Sequence, residues 1–242
     1  MKKKLNIEQE VEIMEALKRF DTPTVTNAVG TYPDRATCLG LFHPWDTNWY
    51  TNQSIKVMFP EMGRTCGYAV TCVYGLPDPD YKKLSIGDVL RAIDESPKPV
   101  VLCIKQDYPE RIKQKNGLCG GNMSTAFKSL GVKCVVSDGP SRDLEEARAM
   151  GMQYMLTGTS AGHGPMAVKA VGVPVNICDM DVCMGDVIHL DENGAVKFPR
   201  EYLEYVLANC EAIAKQEEKQ MKMMASTNDV NLLVKYMKAV YD

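Results

Sequence analysis

The chain has 242 residues, of which 45% are hydrophobic and 24% charged, with a formal net charge of −3. A chain of that length can bury one substantial core, and its near-balanced charge excludes both a disordered polyampholyte and a strongly basic nucleic-acid binder. No apolar run approaches the ~18 residues of a transmembrane helix, and Glu8, Glu10 and Glu12 interrupt the place where a signal peptide would carry its apolar stretch. The expectation is a soluble cytoplasmic protein with no nucleic-acid partner and no membrane partner.

Ile7, Val11, Met14, Leu17 and Phe20 recur every three to four positions and predict a helix over 7–20, stopped by Asp21-Thr22-Pro23. A short second helix is expected over 24–30. Residues 31–60 mix Pro33, Pro44 and Pro60 with Trp45, Trp49 and Tyr50. That composition predicts an ordered surface excursion, a lid or a subunit contact, and its aromatics argue against disorder. From Gly67 onward short valine-rich runs bounded by glycine or proline predict buried strands over 68–74, 100–104, 132–136, 153–157 and 168–175. Helices over 86–93 and 123–130 fall between them, an alternation that gives an α/β sandwich.

Runs 187–190 and 195–198 flank Asp191-Glu192-Asn193-Gly194, whose Asn-Gly pair predicts a hairpin. Past Pro199 the stripe Leu203, Val206, Leu207, Cys210, Ile213 and Ala214 predicts one long C-terminal helix. Its end carries Met221, Met223 and Met224 and suits packing on a neighbouring subunit. The whole reads as a single domain over 1–242, with an N-terminal helix (5–20), a core (21–200) and a C-terminal helical extension (201–242). Nine cysteines without a CxxC pair predict free, mostly buried thiols and neither a zinc site nor a disulfide framework.

The densest chemical signal is Gly117-Leu118-Cys119-Gly120-Gly121-Asn122-Met123-Ser124, followed after a helix and a strand by Ser137-Asp138-Gly139-Pro140-Ser141-Arg142-Asp143. Two glycines at a helix start let backbone approach a ligand, and the first-turn N–H groups of Gly120, Gly121, Asn122 and Met123 offer a cradle for a carboxylate or phosphate. Arg142 can grip a carboxylate with two parallel hydrogen bonds, and the Asp143 carboxylate can hold a hard divalent cation. A plainer reading stands beside this one. Asp143 and Glu146 fit a capping box at the start of a helix over 144–150 closed by Gly151, and Arg142 fits an ordinary surface ion pair. His163, in a glycine-rich loop, fits a surface position better than a catalytic one, and His43 and His189 have no partner recognisable in sequence.

The run from Gly120 to Asp143, the upstream Gly63-Arg64-Thr65-Cys66-Gly67-Tyr68-Ala69-Val70-Thr71, and the downstream Met184-Gly185-Asp186 and Asn193-Gly194-Ala195-Val196 resemble the RraA-like family. That family includes the regulators of ribonuclease activity and the 4-hydroxy-4-methyl-2-oxoglutarate aldolases. The resemblance implies a layered sandwich of the swivelling β/β/α type with N- and C-terminal helices, assembled as a homotrimer or hexamer with sites near subunit interfaces. It implies Arg142 as the group binding the pyruvoyl part of a small 2-oxo acid, Asp143 as ligand to Mg2+ or Mn2+, and the backbone of residues 120–123 as donor to the substrate carboxylate. In the aldolases an acidic residue in the glycine loop assists the metal through water, and this chain has Gly121 there. The expected function is a divalent-metal-dependent carbon–carbon lyase working by retro-aldol cleavage or decarboxylation through a pyruvate-type enolate. The alternatives are a non-catalytic regulator of ribonuclease activity and a lyase or isomerase for a substrate unusual in the family.

Overall fold

A computed structural model describes residues 5–30, 37–43, 46, 48–80 and 84–241. The chain opens with helices α1 (Ile7–Leu17) and α2 (Thr22–Val29). α1 starts on a capping box between Asn6 and Gln9, and α2 on Asp21, which accepts from the Thr24 N–H with Pro23 in the first turn. Asp21 therefore both ends the first helical stretch and begins the second.

The elements that follow are β1 (Lys56–Val57), β2 (Thr65–Gly75), α3 (Ile86–Glu95), β3 (Val100–Asp107), α4 (Glu110–Lys113), α5 (Gly121–Ser129), β4 (Val132–Ser137), α6 (Leu144–Ala149) and β5 (Gln153–Leu156). Then come β6 (Ala167–Val171), β7 (Val175–Ile177), β8 (Met180–Val182), β9 (Val187–Asp191), β10 (Gly194–Phe198), α7 (Leu203–Ala225) and α8 (Val230–Tyr241). One mixed sheet runs β1-β5-β4-β3-β2-β9-β10, with β6 also paired to β2, and β7 and β8 form a separate hairpin. β2, β3, β4 and β5 are mutually parallel, whereas β1, β6, β9 and β10 join antiparallel. The result is a mixed α/β fold with a nearly closed, barrel-like sheet and helices at both termini.

The central strands bury side chains on both faces, as parallel strands covered from both sides do. On one face Val70, Leu102, Val135 and Tyr154 pack with Val89 and Ile93 of α3, Phe127 of α5 and Ala147 of α6. On the other, Ala69, Val101, Cys134 and Met155 pack against the β7–β8 hairpin and Ile188 and Leu190 of β9. A third core joins α1, α2 and α7 to β9 and β10 through Leu17, Val25, Val206 and Phe198. Layers of helix, sheet and hairpin are the sandwich expected from the alternation of strands and helices.

Three expectations change. The run 168–175 is two strands, because Gly172 takes a left-handed φ of 73° and turns the chain between β6 and β7. The single long C-terminal helix is two, with α7 ending at Ala225 and α8 starting at Val230. Trp49 is 1% exposed, stacked on Phe42 at 5.3 Å within the α1–α2–α7 core. A large indole has more to gain from that core than from covering a surface, so this part of 31–60 belongs to the interior and not to a lid. Trp45 and residues 31–36 lie outside the described residues. The cysteines are free as expected, with Cys66, Cys72, Cys103, Cys119, Cys134 and Cys210 buried, Cys38 and Cys178 half-buried and Cys183 exposed.

Candidate active site

At the C-terminal end of β4 the chain enters a turn that the interior holds rigidly. The Asp138 carboxylate accepts the Gln106 N–H at 2.7 Å through one oxygen, and Lys105 Nζ and Lys113 Nζ at 2.7 and 2.6 Å through the other. The Gln106 side-chain amide donates to the Pro140 carbonyl at 2.9 Å and lies where a side chain at Gly139 would stand, 2.4 Å from a Cβ built there. Glycine is needed at 139 for that close approach.

The turn carries Ser141 and Arg142 across the glycine loop. The Ser141 hydroxyl and the Arg142 N–H both donate to the Cys119 carbonyl, and Leu118 N–H donates to the Pro140 carbonyl. On the other flank Gly117 N–H donates to the Gly162 carbonyl at 2.9 Å. Beneath the loop, Ser124 Oγ bonds Tyr154 Oη and lies 3.2 Å from Cys119 Sγ. Burial pushes the Cys119 thiol and the Tyr154 phenol up from their ordinary values, so both stay protonated and serve as props, not nucleophiles.

Arg142 and Asp143 stand side by side over the start of α5. Asp143 has φ 56° and ψ 46°, a left-handed conformation uncommon for any residue but glycine, asparagine and aspartate. Its side chain caps nothing on α6. It crosses instead to the glycine loop, where Oδ2 accepts the Gly121 N–H at 2.9 Å and lies 3.7 Å from Arg142 Nε. The capping-box reading of Asp143 and Glu146 is thus corrected, since the left-handed backbone carries the Asp143 carboxylate off its own helix. A Cβ built on Gly120 would lie 2.5 Å from Asp143 Oδ2 and 2.9 Å from Arg142 Nε, and one on Gly121 would lie 1.5 Å from Glu146 Oε2. Both glycines are there because acidic and basic head groups press on the loop backbone.

One backbone donor of the cradle expected from residues 120–123 is already engaged. Asp143 itself takes the Gly121 N–H, which leaves Asn122 and Met123 as the first-turn donors without an intrahelical acceptor. Asn122 is exposed, and Met123 is half-buried and lines a cavity of about 530 Å3 with Tyr74, Ile86 and Met166. His163 is exposed, its Nδ1 3.2 Å from the Gly164 carbonyl, on the rim formed by the loop that receives Gly117. His189 lies elsewhere, buried under α2 against Thr22. Among the described residues no group of three His, Cys, Asp or Glu side chains converges as a metal cage. Glu146, which the sequence placed only in a capping box, instead reaches from α6 to the backbone of Gly121.

A family model described as RraA-like (Aldolase/RraA) matches residues 22–197. Part of the chain is 32% identical over 108 residues to an uncharacterized protein of Methanocaldococcus jannaschii, covering 44% of this chain and 52% of that protein. The chain thus spans about half the length of that curated relative. Solved structures of similar fold include an uncharacterized protein from Pseudomonas syringae pv. tomato (19% identity, 94% of each chain, TM-score 0.68). Another is Streptomyces coelicolor RraAS2, described as an unusual member of the RNase ES inhibitor RraA protein family (19% identity, 87% of this chain and 96% of that one, TM-score 0.66). A third is described as a novel cellulase from gut-associated microbes (22% identity, 90% of each chain, TM-score 0.68).

Proposed function

The chain belongs to the RraA-like (Aldolase/RraA) family, and from that premise we propose that it is a divalent-metal-dependent carbon–carbon lyase cleaving or decarboxylating a small 2-oxo acid. The observation that carries the reading is Arg142 beside an Asp143 held in a left-handed backbone, both turned onto the start of α5. Strain of this kind collects at functional sites. Asp143 Oδ1 accepts no hydrogen bond among the described residues, which suits a hard cation such as Mg2+ or Mn2+ that keeps most of its waters.

In this reading the Arg142 guanidinium grips the substrate carboxylate with its planar fork. The Asn122 and Met123 N–H groups and the positive end of α5 favour the negative charge that grows on the 2-oxo oxygen as the carbon–carbon bond breaks. A bound divalent cation supplies Lewis-acid stabilisation of that charge. Proton delivery falls to water, because Cys119 and Tyr154 are buried beneath the loop and hydrogen-bonded to Ser124, and His163 stays on the exposed rim. The same reading takes the whole chain as one domain, cytoplasmic, self-associating as a homotrimer or hexamer. Among the described residues no helix is long and apolar enough to cross a membrane.

The test is oxaloacetate decarboxylation in Mg2+ or Mn2+, with the rate of free metal subtracted. Arg142→Lys keeps the charge and loses the fork, and the expected fall is roughly tenfold to a thousandfold. A rate no higher than free metal, with oxaloacetate and with 4-hydroxy-2-oxo acids, overturns the reading. The description of the S. coelicolor neighbour then favours the second one, a non-catalytic regulator of ribonuclease activity. That neighbour's description also limits the expectation of no nucleic-acid link to bulk charge alone.

A further inference from the structure

We propose that the cavity beside the first turn of α5 holds the distal arm of the substrate, and that this arm is an uncharged alkyl or aryl group and not a second carboxylate. The arm belongs to the 2-oxo acid of the reading above, on which the assignment rests. The cavity encloses about 530 Å3, inside the range of small-molecule sites. It lies at the C-terminal end of the parallel strands, where α/β sheets present their ligands. The end of β2 supplies Tyr74, β6 supplies Val168, the chain entering α3 supplies Leu84 and Ile86, and Met123 and Met166 complete the wall.

Two stretches of that wall continue into the Arg142 site. Met123 stands one helical turn beyond Gly120, whose Cβ would lie 2.9 Å from Arg142 Nε. Met166 follows the loop that flanks Gly117, and a Cβ built on Gly117 would lie 2.9 Å from the Gly162 carbonyl oxygen and 3.2 Å from Arg142 Cβ. An acid gripped at Arg142 therefore has the cavity next to it, across the same loops. The lining decides which arm fits. Its charged side chains are Asp78 and Lys169, whose head groups stand 4.0 Å apart and cancel, and Lys169 Nζ also donates to the Leu76 carbonyl at 3.4 Å. A carboxylate entering there would shed water and meet no uncommitted cation among the described residues. An alkyl or aryl arm loses nothing polar and gains by leaving water. One polar atom is left over: the Tyr74 hydroxyl is buried with no hydrogen-bond partner among the described residues. Buried polar atoms of that kind are few, and a neutral oxygen on the arm satisfies it without bringing charge.

The experiment compares two probes of similar size on the full chain in Mg2+: 4-methyl-2-oxopentanoate, with an alkyl arm, and 2-oxoglutarate, with a carboxylate arm. Calorimetry gives the ratio of affinities, in which any general loss at Arg142 cancels, and NMR follows the methionine methyl groups. The alkyl acid is expected to bind about tenfold or more tightly than 2-oxoglutarate and to shift the methyl signals of Met123 and Met166, assigned with Met123→Leu and Met166→Leu, but not that of Met221 on α7. Ala167→Phe, which fills the cavity, is expected to bring the ratio close to one. Ile86→Lys, at a position 41% exposed that tolerates charge, is expected to move the ratio at least about tenfold towards 2-oxoglutarate. Equal or tighter binding of 2-oxoglutarate by the native chain overturns the assignment. So does binding of the alkyl acid that leaves Met123 and Met166 unshifted, or a ratio unchanged in Ile86→Lys. The expected preference and shifts in a protein that turns over no 2-oxo acid leave the cavity assignment standing and sink the lyase reading alone. No binding of either probe or of pyruvate removes the 2-oxo acid reading, and the arm with it.

Discussion

Glu10 and Glu146 are both helical glutamates near an arginine, and they sit in opposite circumstances at opposite ends of the parallel strands. Glu10 is 5% exposed and spends both oxygens inside the protein, accepting from Arg200 Nε at 2.8 and 2.7 Å and from the Tyr68 hydroxyl. Close by, at the β9 end of β2, the fully buried Asp191 accepts from Thr22 N–H and Asn193 N–H, both at 2.8 Å. Glu146 is exposed and its carboxylate is bound to nothing among the described residues. Acids that hold a fold together are consumed by internal donors. The acids beside the glycine loop are given room by Gly120 and Gly121 and keep acceptor capacity to spare.

If the buried end is purely structural, its cost should appear in stability and not in metal binding. The largest effect is expected from His189, whose imidazole burial pushes down from its ordinary 6.5 to about 4, against a smaller upward pull from Asp191. The unfolded chain therefore binds a proton below pH 6.5 that the folded chain refuses until about pH 4. Stability present at neutral pH is lost as the pH falls through that window, by about 3 kcal/mol in total at 1.36 kcal/mol per unit. NMR of the imidazole, assigned with His189→Asn, should show no protonation until well below pH 6. A titration near 6.5 would break the contrast, since it would make this end open to solvent.

Glu10→Gln and Glu146→Gln sharpen it further as a crossed pair. The first leaves Arg200 without its charge partner, and because that side chain is 35% exposed the penalty for a fully buried broken pair is discounted to about 2 kcal/mol. Its Mn2+ affinity should not change. The second should alter stability by no more than about 0.5 kcal/mol, as exposed positions do. Urea denaturation and calorimetry on the same two proteins check both halves. A metal defect in Glu10→Gln would end the division between the two regions.

How much of this was legible in the sequence follows from the range of the forces involved. Local periodicity placed β2, β3, β4 and β5 and the β9–β10 hairpin, because strands buried on two faces and an Asn-Gly turn announce themselves within a few residues. Arg142, Asp143 and the glycines also stood out, being clustered along the chain. The Asp143–Gly121 bond spans 22 positions and depends on one left-handed φ, which no neighbouring pattern encodes. Sequence reasoning therefore offered Asp143 as a metal ligand or a helix cap and Gly121 as part of a substrate cradle, and could not foresee the bond between them. Trp49 was misread for a related reason: its partners in α1, α2 and α7 are distant in sequence, so a loop rich in prolines looked like surface.

The smallest effect tests that left-handed residue directly. Asparagine tolerates φ near 56° almost as well as aspartate and keeps an oxygen for the Gly121 N–H, whereas alanine has neither property. Asp143→Asn is therefore expected to stay within about 0.5 kcal/mol of the native chain, and Asp143→Ala to be less stable than Asp143→Asn by about 1–2 kcal/mol, the cost of the left-handed conformation for a side chain with no polar group to offset it. Both should lose Mn2+, because neither carries a carboxylate. The comparison separates two jobs of one side chain, the backbone geometry that aims it and the charge that binds. If Asp143→Ala proves as stable as Asp143→Asn, the left-handed backbone stores no strain and the argument from Asp143 to a functional site loses its physical basis. If Asp143→Asn retains Mn2+, the ion is held by other oxygens and the loop geometry has been given the wrong purpose.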